Sequence, residues 1–180
     1  IVMHPSDVVS TKLLTMQLAE SGSPSYTRTA RNKTPVLYEG REDEIEIGKG
    51  VVLREGKDVA IIACGVMVSQ SLEAADALAA EGISAAVVDM HTLKPLDGEL
   101  IDRLVATCGA LVTAEDHNVI GGLGGAVAEH LTSNAYAPLE RVGVQDRFGE
   151  SGEADEMLEV MEISSPFIAE AAKRAVARKA

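Results

Sequence analysis

Tryptophan is absent from this 180-residue chain, and three Tyr and two Phe hold its aromatic content to 3%. The interior therefore has to be built from aliphatic side chains. Hydrophobic residues at 46% and charged residues at 24% give an ordinary globular balance. A core of Ala, Val, Ile and Leu suits an α/β sheet, and the length allows one well-packed domain with some tens of residues to spare. Basic residues are scarce too: 16 Lys and Arg stand against 28 Asp and Glu, for a formal charge of -12. No Lys/Arg cluster is available to neutralise a phosphate backbone, so no nucleic-acid partner is expected. Long apolar runs are missing as well. Val59 to Cys64 is far shorter than the roughly 20 residues a bilayer requires, so no membrane span is expected. Cysteine is limited to Cys64 and Cys108, without C-x-x-C spacing or clustered ligands. Both are expected in strands or at their ends, as small buried apolar residues of a reducing, cytoplasmic protein.

What is present is regular. Ile1 to Met3 has the character of an interior strand with no leader before it, so the chain reads as the continuation of a longer polypeptide. His4-Pro5-Ser6-Asp7 supplies a turn and an N-cap. Val9, Leu13 and Met16, with Leu14 and Leu18 beside them, predict a helix that stops at Ser21-Gly22-Ser23-Pro24. A second strand is predicted from Tyr26 to Thr29. This β-α-β piece cannot bury both faces of a parallel pair by itself, so its helix is expected to expose an apolar side. Glu39 to Gly50, charged and punctuated by glycine, reads as a linker.

Beyond it, strands at Val59–Cys64, Ala85–Asp89, Ala110–Ala114 and near Arg141–Val144 alternate with helical patterns. The helices are Val68 to Ala79, one opened by Pro95-Leu96-Asp97 through Leu104, one from the glycine run to about Leu131, and Ser165 to about Arg178. That alternation predicts a three-layer α/β/α domain with a mostly parallel sheet.

Ligands in such sheets bind outside the carboxyl ends of strands. Glu115-Asp116-His117-Asn118 stands at one such end, before Gly121-Gly122-Leu123-Gly124-Gly125. Glycines opening a helix can expose N–H groups to an anion, or can simply permit a tight turn with close packing. The run is neither G-x-G-x-x-G in its proper setting nor a Walker loop. His4, His91 and His117 read as hydrogen-bonded structural residues, with a base or ligand role as the alternative. His130 lacks an evident partner. No Ser/His/Asp arrangement is visible, and Cys64 has no identifiable base. Asp146 to Gly152 reads either as a capped loop, with Arg147 bonded to nearby carboxylates, or as a contact surface. Arg31 and Lys33 follow a strand end in an otherwise acidic chain, and arginine suits bidentate phosphate recognition.

At these residues the sequence resembles transketolases, most closely those split between two polypeptides. The resemblance rests on His4-Pro5-Ser6-Asp7, on YTRTARNKTP from Tyr26 to Pro35, on VVDMHTLKPLD from Val87 to Asp97, on TAEDHNVIGGLGGAVAEHL from Thr113 to Leu131, and on DRFGESG from Asp146 to Gly152. Together these stretches span essentially the whole chain. The resemblance implies that residues 1–40 are the end of a pyrimidine-binding domain with its linker, and 41–180 the transketolase C-terminal domain.

It also implies a complete enzyme that moves a ketol unit between ketose and aldose phosphates in the pentose phosphate pathway, using thiamine diphosphate and Mg. None of the coenzyme is expected on this chain alone. Implied partners are the remainder of the enzyme or an N-terminal subunit, in a homodimer or higher assembly. Arg31 matches the family arginine that holds the sugar phosphate. No catalytic, cofactor or metal residue is assigned here. Two alternatives stay open: part of a 2-oxo-acid dehydrogenase β subunit or a deoxyxylulose-phosphate synthase-like enzyme, and a non-catalytic dimerisation or small-anion-sensing module that uses the glycine loop.

Overall fold

The computed structural model describes residues 1–134 and 136–179. Strand β1 (Val2–Met3) leads into helix α1 (Val8–Ser21). Asp7 caps this helix: its carboxylate accepts from Ser10 N at 2.7 Å, and its own N–H donates to Ser10 Oγ at 3.1 Å. The exchange pairs N–H groups that no helical carbonyl can reach. Gly22, at φ +63°, ends the helix in the left-handed region that a side chain would disfavour. The short strand β2 (Tyr26–Thr27) then pairs parallel with β1.

The rest of the chain runs β3 (Val51–Arg54), β4 (Val59–Ala63), α2 (Met67–Ala80), β5 (Ala85–Asp89), β6 (Thr92–Lys94), α3 (Gly98–Cys108), β7 (Leu111–Asn118), α4 (Leu123–Asn134), β8 (Leu139–Val144), α5 (Ala154–Val160) and α6 (Ser165–Ala177). Five of the strands form one sheet in the order β3-β5-β4-β7-β8. Only β3 runs against its neighbour; the other pairings are parallel. Successive side chains of β4 point to opposite faces. Val59, Ile61 and Ala63 meet α2 and α6, whereas Ala60 and Ile62 meet α3 and α4. Helices cover both faces, so every residue of β4 and β5 is buried. The expected three-layer architecture is the one found.

Two local expectations are corrected, and one element was not foreseen. Residues 92–94, for which no element was predicted, form β6 and complete a second sheet, β2-β1-β6, by pairing antiparallel with β1. A three-residue strand is too short to show period-two alternation. Residues 39–50 are not a free linker. Ile45 is buried with Met3, Leu14, Tyr38 and Val51 in a third small core. Gln17 ties the segment to α1, donating to Ile45 O at 2.8 Å and accepting from Ile47 N at 2.9 Å. Cys108 closes a helix rather than a strand, although both cysteines are buried as expected. On α1 Leu14 is fully buried, but Val8 is 65% and Met16 54% exposed, leaving the apolar side that was anticipated. Among the described residues no helix is long and apolar enough to cross a membrane.

Candidate functional site

The carboxyl ends of β4, β5 and β7 meet residues 4–38, and buried polar groups concentrate at that junction. Asp89, the last residue of β5, is fully buried. Its Oδ2 accepts from Ser6 Oγ at 2.5 Å and Tyr38 OH at 2.9 Å, while Oδ1 has no partner among the described residues. Burial pushes the Asp89 carboxyl up to about 7, against the pull of the two hydroxyl bonds; the Asp7 charge adds to the rise. The second oxygen of Asp7 accepts from Leu37 N at 2.8 Å and Tyr38 N at 3.1 Å.

A second cluster forms around Arg28. Its guanidinium donates to the Asp116 backbone oxygen at 3.1 Å, to Asp116 Oδ1, and to His4 Nδ1 at 2.9 Å. Guanidinium has no acceptor, so His4 Nδ1 must accept and a neutral His4 carries its proton on Nε2. Burial, and then the neighbouring Arg28 and His117 charges, bring His4 down to about 3. The ring is held by its surroundings. His4 N donates to His91 O at 2.8 Å, and Gly65 N donates to His4 O at 3.0 Å. Gly65 sits at φ +58°, and a Cβ there would strike the His4 imidazole.

Above this cluster lies a cavity of about 920 Å³. One wall is the loop from Arg28 to Pro35, with Arg31 and Lys33; the others come from α2 (Ser69, Gln70, Glu73) and from residues 152–155. Glu73, Glu153 and Asp155 make the far walls acidic, and Arg28 is already paired. Arg31 and Lys33 are exposed and form no ion pair or hydrogen bond among the described residues. The positive charge of the cavity that is not already paired thus lies on its Arg31 side.

The glycine run behaves differently from an open anion site. Glu115 folds back over it and accepts from Leu123 N and Gly124 N, both at 2.8 Å, at the start of α4. The N–H groups that could have cradled a phosphate are taken by the chain's own buried carboxylate, and a Cβ on Gly122 would collide with it. Burial raises the Glu115 carboxyl, and the two backbone bonds pull it back. The small-anion-sensing alternative loses its loop, and these residues do not fit a coenzyme diphosphate. Among the described residues no group of three or more His, Cys, Asp or Glu is placed to hold a metal ion.

The remaining candidates are structural. His91 is fully buried, its Nδ1 3.0 Å from Thr92 Oγ1, and burial lowers it to about 4. His117 lies on the exposed end of β7, its Nδ1 2.8 Å from Asn118 O. His130 does have a partner, contrary to expectation: its Nε2 lies 2.7 Å from Asp102 Oδ1, joining α4 to α3. Arg147 donates to Val160 O at 2.7 Å and to Glu150 at 3.2 Å, as the capped-loop alternative requires. Arg28, Asp89 and Tyr38 were not anticipated as site residues, and Asp116 was named only within the Glu115–Asn118 segment, without its partner. Arg28 and Asp116 lie 88 positions apart, and no local pattern links them.

The chain is thus an α/β domain whose mostly parallel sheet carries a packed N-terminal β-α-β piece over the carboxyl ends of its parallel strands. The family profile described as "Transketolase, C-terminal domain" matches residues 48–168. A putative transketolase C-terminal section of Methanocaldococcus jannaschii is 43% identical over 171 residues, covering 94% of this chain and 53% of that protein. The 6-deoxy-6-sulfo-D-fructose transketolase subunit SqwH of a Clostridium species is 42% identical, covering 99% and 55%. The solved structure described as a split gene transketolase, inactive beta4 tetramer, superposes with a TM-score of 0.95 at 43% identity, covering 99% of this chain and 58% of that one. The chain belongs to the transketolase family and carries its C-terminal domain. It spans about half the length of these curated relatives.

Proposed function

We propose that this chain works within a transketolase that moves a two-carbon ketol unit from a ketose phosphate to an aldose phosphate, and that its own task is assembly and recognition of the substrate phosphate. One observation carries the reading: among the described residues Arg31 and Lys33 stand unpaired on the wall of a cavity of about 920 Å³ whose other walls carry Glu73, Glu153 and Asp155. A planar guanidinium can grip a phosphate through two parallel bonds. A remote dianion held in this way supplies binding energy that positions the reacting carbonyl.

In this reading residues 1–40 are the end of the pyrimidine-binding domain with its connection, and 41–180 the C-terminal domain. The family match over 48–168 supports that division. Thiamine diphosphate supplies the carbanion chemistry in this family. Since the glycine run is closed by Glu115, the coenzyme and its Mg are assigned to the remainder of the enzyme or an N-terminal subunit. Pairing into a dimer or higher assembly would cover Val8 and Met16, and the pentose phosphate pathway in the cytoplasm is the setting.

The test is Arg31→Met in the assembled enzyme. KM for a sugar phosphate should rise at least tenfold, while the corresponding sugar without phosphate is turned over as before. Equal effects on both sugars, or none, would refute the assignment.

A further inference from the structure

Residues 29–36 make no hydrogen bond, through backbone or side chain, among the described residues. Cavities of about 920 and 480 Å³ lie on its two sides, and Thr29, Ala30, Asn32, Lys33 and Thr34 line both. Only Ala30 and Thr34 of the loop are half-buried and residues 29, 31–33, 35 and 36 are exposed, so its course depends mainly on its two ends. At the far end, Leu37 N and Tyr38 N are held by Asp7. At the near end, Arg28 N donates to Met3 O at 3.0 Å, and the Arg28 guanidinium is clamped by Asp116 and His4.

Arg31 lies three residues from the near anchor and six from the far one. An extended chain covers about 3.5 Å per residue, so free chain allows Arg31 a range of about 10 Å from Arg28 against about 20 Å from Leu37. The near anchor therefore governs where Arg31 stands. Asp116, the acceptor of two of the three guanidinium bonds, belongs to β7. That strand is paired with β4 as far as Ala114, and with β8 at Ala114 and Asn118, on either side of Asp116.

We propose that Arg28 and Asp116 are positioning residues for Arg31: the sheet of the C-terminal domain, through this ion pair, sets the place of the phosphate-binding guanidinium. This rests on the phosphate reading of Arg31. It gives the domain a part in substrate recognition beyond assembly. Neither Arg28 nor Asp116 needs to touch the substrate for this to hold.

The experiment uses the assembled enzyme with ribose 5-phosphate and ribose as paired acceptors, in wild type, Arg28→Met, Arg31→Met and the double variant. Arg28→Met should raise KM for ribose 5-phosphate at least fivefold, by no more than Arg31→Met does, and leave kcat and the ribose reaction unchanged. The double variant should match Arg31→Met alone, because an anchor has nothing to position once Arg31 is gone. If Arg31→Met is selective but Arg28→Met is silent, slows both sugars alike, or adds to Arg31→Met, the positioning role is refuted and the phosphate reading survives. Absence of selectivity in Arg31→Met, or of any wild-type preference for the phosphorylated sugar, overturns both. Should Arg28→Met fail to fold by circular dichroism, Asp116→Asn carries the same comparison. It is isosteric and keeps the backbone acceptor.

Discussion

Replacing Asp89 by Asn should narrow or reverse the stability difference between the two proteins as pH rises. In the folded chain the carboxyl is raised from its ordinary 3.8 to about 7, chiefly by burial. A raised folded-state value means that the native protein binds the proton more tightly than the unfolded one. The corresponding stabilisation is complete below about pH 4 and is lost as pH rises through about 7. At about 1.4 kcal/mol per tenfold change in proton binding, the full span is on the order of 4 kcal/mol, and roughly 2 kcal/mol of it disappears between pH 5.5 and 8.5.

Asn cannot ionise, so it escapes that loss. Its amide group, placed where Oδ1 now lacks a partner, costs about 1–3 kcal/mol as an unpaired buried donor. Asp89→Asn should therefore be the less stable protein at pH 5.5 and approach or overtake wild type at pH 8.5. Urea denaturation followed by circular dichroism at both pH values measures the difference directly. Two stability profiles that run parallel across this range would show that Asp89 does not titrate there, and the account of its burial would be wrong. Because Ser6 and Tyr38 both donate to this carboxylate, the protection factors of the α1 amides, with the intrinsic rise of exchange with pH divided out, should be lower at pH 8.5 than at pH 5.5 in wild type only.

Two further predictions concern the loops. Gly122→Ala would push a methyl group into the Glu115 carboxylate, freeing Leu123 and Gly124 N–H, at a cost of at least about 2 kcal/mol for two lost charge-assisted bonds; retained exchange protection of those two amides would contradict it. Arg31→Met should leave stability within about 0.5 kcal/mol, as for exposed residues without partners, and a loss above about 1 kcal/mol in urea denaturation would make Arg31 a structural residue.

Periodicity alone determined much of this protein. The alternation of apolar strands such as Val59–Ala63 with helices of helical spacing defined the three-layer sheet, because covering a parallel sheet on both faces demands continuous apolar strands between amphipathic helices. The cap at Asp7 and the stop at Gly22 were equally legible, since both depend on chemistry within a few residues. So was the isolation of Arg31 and Lys33 as cations in an acidic chain. Only the tertiary structure decided the rest. The pairing of β1 with β6, the clamp of Asp116 on Arg28, the convergence of Ser6 and Tyr38 on Asp89, and the closing of the glycine run by Glu115 are contacts whose energy lies in burial and distance. The first three join residues far apart in sequence, and at the glycine run the sequence favoured a tight, closely packed turn over an anion cradle without showing which group packs there. Which of them forms is settled when the sheet closes over its core and leaves each carboxylate one donor set within reach.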